Sequence, residues 1–162
     1  MATDIAITWD NTVTGGVGDF SLDASGDLAS GNDLASAVYV SLFSDRLVDE
    51  NELPAGQTDR RGWYGDTQLQ IANRGDLIGS RLWLLERAKS DDHVPLIARA
   101  YIREALAWMI ADGVASSIDA TCYFIQGDQE RLAATIEIFR FGQQRPDTLK
   151  FQWAWRQVSG VF

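Results

Sequence analysis

The strongest constraint on how this chain folds lies in residues 118–156. Ile118, Ala120, Cys122 and Phe124 alternate with Asp119, Thr121 and Tyr123. Leu132, Ala134, Ile136 and Ile138 alternate with Thr135 and Glu137, and Leu149, Phe151, Trp153 and Trp155 with Lys150, Gln152 and Arg156. Side chains of a strand point alternately to opposite faces, so a period of two means one buried face and one wet face. Gly127-Asp128 and Pro146-Asp147 carry turn chemistry between the runs. Three such runs in succession predict an antiparallel meander, and its apolar face needs a cover supplied by the rest of the chain.

The upstream sequence offers that cover. Residues 4–10 alternate around Ile5, Ile7 and Trp9 and read as a strand. Gly15-Gly16 interrupts it, 17–22 reads as a second strand, and Asp27-Leu28-Ala29 follows the turn residues 23–26 as a third. Asn32 or Asp33 is placed to cap a helix running to about Arg46, with Ala35, Val38, Tyr39, Leu42 and Phe43 at helical spacing. A second helix is expected over 77–88. A third is expected from Ser90-Asp91-Asp92 to about Ala111, with Pro95 in its first turn, Ile97, Tyr101, Ala105 and Trp108 on one face, and Gly113 ending it. The expectation is one α+β domain over 1–162, helices packed on a mainly antiparallel sheet in the order β-β(β)-α-α-α-β-β-β.

Several function classes fit the composition poorly. A net charge of −9 opposes nucleic-acid binding, which requires a basic footprint. No apolar run approaches a membrane span, and residues 1–4 do not start a signal peptide, so the expected setting is a cytoplasm. One His and one Cys give no metal-ligand cluster, and Cys122 reads as a structural thiol. The stretch Gly15-Gly16-Val17-Gly18 lacks the Lys-Ser/Thr ending of a phosphate-binding loop. Glu86, Glu104 and Glu137 are the carboxylates a glycan hydrolase would draw on, yet each falls on a polar face. No catalytic residue, metal site or cofactor is expected.

Periodicity fades over 47–74, the one long irregular segment, and long loops in small domains are usually functional or disordered. Within it Asp59-Arg60-Arg61-Gly62-Trp63-Tyr64-Gly65-Asp66 concentrates arginine and aromatic residues between acids. Those residue types are the commonest anchors of protein interfaces. Arg60, Arg61, Trp63, Tyr64 and Asp66 are therefore the candidate partner-binding residues. The alternative is internal: Trp63 folds inward and Arg60 or Arg61 pairs with Asp66 to close the loop.

This loop, together with Asp4-Ile5-Ala6-Ile7, Gly26-Asp27-Leu28-Ala29 and the run from Ser36 through Leu42-Phe43-Ser44-Asp45-Arg46, resembles the Mu-like phage tail family called gene product 46. That family is similar in turn to the T4-type baseplate wedge subunit, gene product 25. The resemblance implies a structural subunit of a contractile-tail baseplate, assembled in the host bacterial cytoplasm and then part of the virion tail. It implies other baseplate subunits as partners: a large wedge protein, with the central spike and the sheath as further candidates. Neither nucleic acid nor membrane is among them, and the isolated chain is expected as a monomer or weak oligomer. T4-type relatives carry a lysozyme-like label, which makes a peptidoglycan hydrolase the first alternative and a small-molecule-binding domain the second. They also carry a Glu-Pro-Arg tripeptide in the comparable loop that this sequence lacks.

Overall fold

A computed structural model of the chain describes residues 5–12, 16–63, 66, 77–87, 91–126 and 128–154. The meander is present as predicted. Strands β3 (Ser117–Ile125), β4 (Asp128–Phe139) and β5 (Asp147–Ala154) form an antiparallel sheet in the order β3-β4-β5. Ala120 pairs with Ile136 and Ile136 with Leu149, so these residues of the three strands share one face. Leu132, Ile136 and Ile138 are fully buried there, and each such side chain contributes about 1.5–3 kcal/mol through removal from water. Trp155 and Arg156, Gly127, and the strand start at Asp4 lie outside the described residues.

The N-terminal strands make a separate two-stranded sheet. β1 (Ile7–Asp10) pairs antiparallel with β2 (Val17–Phe20). The expected third strand is reduced to isolated bridges, Leu22 to Leu28 and Ile5 to Ser30. The Asp23 carboxylate holds the turn, accepting from the Ser25 amide at 2.8 Å and the Asp27 amide at 3.2 Å, and the arms beyond it join only by the Asp23 amide to the Asp27 carbonyl and the Ala29 amide to the Ser21 carbonyl. Trp9 docks the hairpin on the main core, its ring stacked on Phe43 at 4.1 Å and edge-on to Phe151 at 6.1 Å. At β5, the Gln152 amide donates to the Asn11 side chain at 3.1 Å, and a side chain at Gly16 would meet the Gln152 carbonyl at 2.3 Å.

Helix α1 (Asp33–Phe43) buries Ala35, Val38 and Leu42, much as its spacing predicts. Its buried serines are engaged. The Ser36 hydroxyl donates to the Ile5 carbonyl and accepts from the Ile7 amide, and the Ser41 hydroxyl donates to the Ala37 carbonyl and accepts from the Trp108 indole. The third predicted helix is divided. α2 (Val94–Ala105) and α3 (Ala107–Ala111) are separated by Leu106 at φ −100°.

The face of α2 also differs from the expectation. Val94, Ala98, Ile102 and Ala105 are buried, while Ile97 and Trp108 are each 40% exposed. The expected face is half right: Ala105 is buried and Tyr101 packs against the core, while Ala98 and Ile102, not Ile97 and Trp108, complete the buried side.

The second predicted helix is mostly absent. Only a 3-10 segment, Leu82–Arg87, forms within residues 77–88, and Ala88 lies outside the described residues. Gly79 has φ +97°, and a side chain there would meet the Ser44 carbonyl at 2.3 Å. Ser80 then bridges to the end of α1: its amide donates to the Ser44 carbonyl at 2.9 Å and its carbonyl accepts from the Arg46 amide at 3.0 Å. Tertiary pairing holds the chain extended where local spacing favoured a helix.

Candidate functional site

The loop singled out in the sequence is built around the end of α1. Arg46 to Asp49 runs on from the helix, and a 3-10 turn, Glu50–Glu52, follows. The returning chain lies back against this segment: the Val48 amide donates to the Arg60 carbonyl at 3.3 Å, and Arg60 Nε donates to the Val48 carbonyl at 2.6 Å. Arg61 and Gly62 both have positive φ, +49° and +100°. At Gly62 no other residue fits, because a Cβ would come within 2.6 Å of Leu47 Cβ.

The left-handed backbone at Arg61 aims its guanidinium across the loop. It meets Asp45 at 2.8 Å and Glu86 at 3.0 Å, and lies over the Trp83 ring at 4.7 Å. Burial alone would weaken the Arg61 charge, but the Glu86 and Asp45 carboxylates outweigh it and hold the group above its ordinary value. For Asp45 the balance runs the other way. Burial raises its carboxyl above the usual range, with Arg61 opposing in part and Glu86 and Asp59 adding to the rise.

A second arginine completes the arrangement. Arg81 reaches Glu104 through Nε at 2.8 Å and Nη2 at 2.7 Å, pairs with Glu52, and lies over the Tyr101 ring at 4.7 Å. Arg46 meets the other Glu104 oxygen at 3.3 Å. The Asp49 amide donates to the Glu52 carboxylate at 3.0 Å, and this bond, with Arg81, holds Glu52 below the ordinary carboxylate value. Beneath these charges Val48, Trp83 and Leu84 form a small core with Leu53 and Tyr101. Trp83 Nε1 donates to the Arg46 carbonyl at 3.0 Å.

The predicted residues thus fall into distinct positions. Arg60 and Arg61 bind the loop to its own domain, and neither pairs with Asp66. Asp66 is fully buried and closes the loop through backbone instead, accepting from the Trp63 amide at 3.1 Å and the Ile78 amide at 3.4 Å. Trp63 is 55% exposed rather than folded inward. Tyr64 lies outside the described residues. The residues that sequence reasoning did not bring to this place are Asp45, Glu52, Arg81, Trp83, Tyr101 and the ion-paired side of Glu104. Their ion-pair and ring contacts span 16 to 58 positions in the chain, so no local pattern announced them.

The ion pairs of this arrangement tie the loop to the rest of the domain. Glu86 and Glu104 are engaged by arginines, whereas a general acid needs an apolar setting that keeps its proton. Among the described residues no group of three or more His, Cys, Asp or Glu side chains is placed to hold a metal ion. No helix among them is long and apolar enough to cross a membrane.

Comparison with known proteins finds phage proteins. A family model described as Phage protein GP46 matches residues 34–145, a span that includes all but the first residue of α1, the arginine loop, α2, α3, β3 and β4. The chain is 42% identical over 118 residues to the baseplate protein gp46 of Escherichia phage Mu, covering 72% of this chain and 74% of that one. It is 36% identical over 116 residues to the Mu-like prophage FluMu protein gp46 of Haemophilus influenzae, covering 72% and 73%.

Proposed function

The chain belongs to the Phage protein GP46 family, and from that premise we propose that it is a structural, non-enzymatic subunit of a contractile phage or prophage tail baseplate. The observation that carries this reading is the similarity to a phage Mu baseplate protein across 72% of the chain. Assembly takes place in the host cytoplasm, and the finished protein resides in the virion tail. Its partners are other baseplate subunits: a large wedge protein, with the spike and the sheath as further neighbours.

The arginine loop is the first contact surface in this proposal. Arg60, Arg61 and Asp66 act from behind, fixing the loop so that Trp63 stands out from a rigid base, with Tyr64 beside it in sequence. A preorganised aromatic anchor binds more tightly than a mobile one, because less freedom is lost on association. The second surface is the edge of β3, which has no strand beside it among the described residues. An added strand from a neighbour would join through backbone hydrogen bonds.

The test is incorporation into tail particles. Trp63→Ala, in a chain that keeps its thermal stability, is expected to be lost from purified baseplates as read by quantitative mass spectrometry. Normal incorporation of this variant would remove the loop from the interface. Absence of the wild-type chain from such particles would remove the baseplate assignment itself.

A further inference from the structure

Residues 49–61 run as a strap over the small core of Val48, Trp83 and Leu84. No residue of the strap is itself buried, and the main core takes none of its side chains. Leu53, partly buried, is its apolar contact with the small core. A segment with so few buried apolar groups can open by itself while the rest of a domain stays folded.

The fastenings of the strap are ionic and sit at its two ends. Near the start Glu52 pairs with Arg81, which Glu104 holds in place. At the finish Arg61 joins Asp45 at the exit of α1 and Glu86 on the 3-10 segment. The side chains of these three pairs are between 27% and 54% exposed, so water and salt reach them all. Arg60 adds two bonds to Val48, through its carbonyl and its Nε.

The backbone works against this closure. Arg61 and Asn32 are the two non-glycine residues with positive φ among those described. Asparagine tolerates that region, whereas arginine is held there by its side-chain contacts and returns to ordinary φ once they are lost. Gly62, next in the chain, is free to swivel. Just beyond it the Trp63 amide is anchored on the buried Asp66, and before the strap the Arg46 amide is fixed to the Ser80 carbonyl. The movable piece thus lies between two fixed points.

We propose that residues 49–61 form a strap with two states. In one it is closed, as described above. In the other it is lifted about Gly62, with Glu52 and Arg61 withdrawn from their partners and Val48, Trp83 and Leu84 open to solvent. The meander, α1 and the Trp63 anchor stay in place in both. The consequence is an apolar surface that is concealed in one state and presented in the other. This is a property of the isolated chain and stands independently of the baseplate reading.

The test is amide hydrogen exchange of the full chain, followed residue by residue by NMR at neutral pH in about 0.05 M and about 0.5 M salt. The Val48 amide reports the strap, the Arg46 and Trp63 amides its fixed ends, and the amides of β4 the main fold. Val48 is expected to exchange at least about tenfold faster than the slowest β4 amides. The higher salt is expected to speed it by roughly threefold to tenfold, leaving Arg46, Trp63 and β4 unchanged. Arg61→Ala removes both of its ion pairs and the Trp83 contact, and should raise Val48 exchange about tenfold or more. Glu52→Gln cuts only the other end and should raise it roughly threefold.

Exchange of Val48 only together with β4, by global unfolding, would overturn the proposal. So would a Val48 rate indifferent to salt, or a salt response shared by Arg46 and Trp63, which would mean that the whole region loosens. If Arg61→Ala proves misfolded by circular dichroism, the salt series and Glu52→Gln decide the matter. Baseplate membership is read separately, by the presence of the chain in tail particles.

Discussion

Arg61 offers a sharp test of how the loop is held, because its side chain and its backbone make opposite demands. The guanidinium joins Asp45 and Glu86 and covers Trp83, while the backbone sits at φ +49°. Replacing it with alanine removes two ion pairs that are partly open to solvent, together about 1 kcal/mol after screening. The cation–π contact adds about 0.5–1 kcal/mol, so Arg61→Ala is expected to cost about 2 kcal/mol. For a domain of this size that lowers Tm by about 4–8 °C.

Arg61→Gly loses the same contacts but relieves the left-handed backbone, about 1–2 kcal/mol. Part of that relief is offset by the added freedom of glycine in the unfolded chain, about 0.5–1 kcal/mol. The glycine variant should therefore be the more stable of the two by about 0.5–1 kcal/mol, reversing the usual order. Urea denaturation followed by tryptophan fluorescence measures both. Repeating it in about 0.5 M salt should shrink the ion-pair share and leave the ring contact. An alanine variant as stable as wild type, or more stable than the glycine variant, would refute the account.

Three further outcomes follow from the same geometry. Gly79→Ala combines a left-handed backbone with a Cβ at 2.3 Å from the Ser44 carbonyl, and should cost about 3 kcal/mol or more, seen as a lower urea midpoint with Ser80 detached from α1. The Cys122 thiol is pushed up to about 12 by burial, so it should react with a disulfide reagent at pH 8 far more slowly in the native protein than in urea. Glu52 has a folded-state value held below the ordinary 4.5 by the Asp49 amide and Arg81. Its contribution is thus present above that value and lost as pH falls through the folded one. Glu52→Gln should flatten the decline in stability below pH 4.5, measured by denaturation across the acid range.

How much of the site was legible follows from the range of its interactions. The arginine loop was visible because its residue types cluster within eight positions. Its internal wiring was not, since Arg61 reaches 25 positions to Glu86 and Arg81 reaches 23 to Glu104. The internal alternative paired Arg60 or Arg61 with the nearby Asp66; the fold instead gives Asp66 two backbone amides and sends the arginines across the loop.

By itself the sequence determined the meander, the two-strand N-terminal hairpin, α1 and the period of α2, because each rests on contacts repeated every two or every three to four residues. It also determined the family, through the loop and the helix end that precedes it. Only the tertiary structure decided that Ala98 and Ile102 complete the buried face of α2, and the loss of the second helix, where Gly79 and Ser80 are pinned to the end of α1. It alone decided, too, that Trp63 faces outward while its arginine neighbours face home. These are contests between segments distant in the chain. Local propensities of a few tenths of a kcal/mol per residue yield there to packing and pairing that no window of the sequence contains.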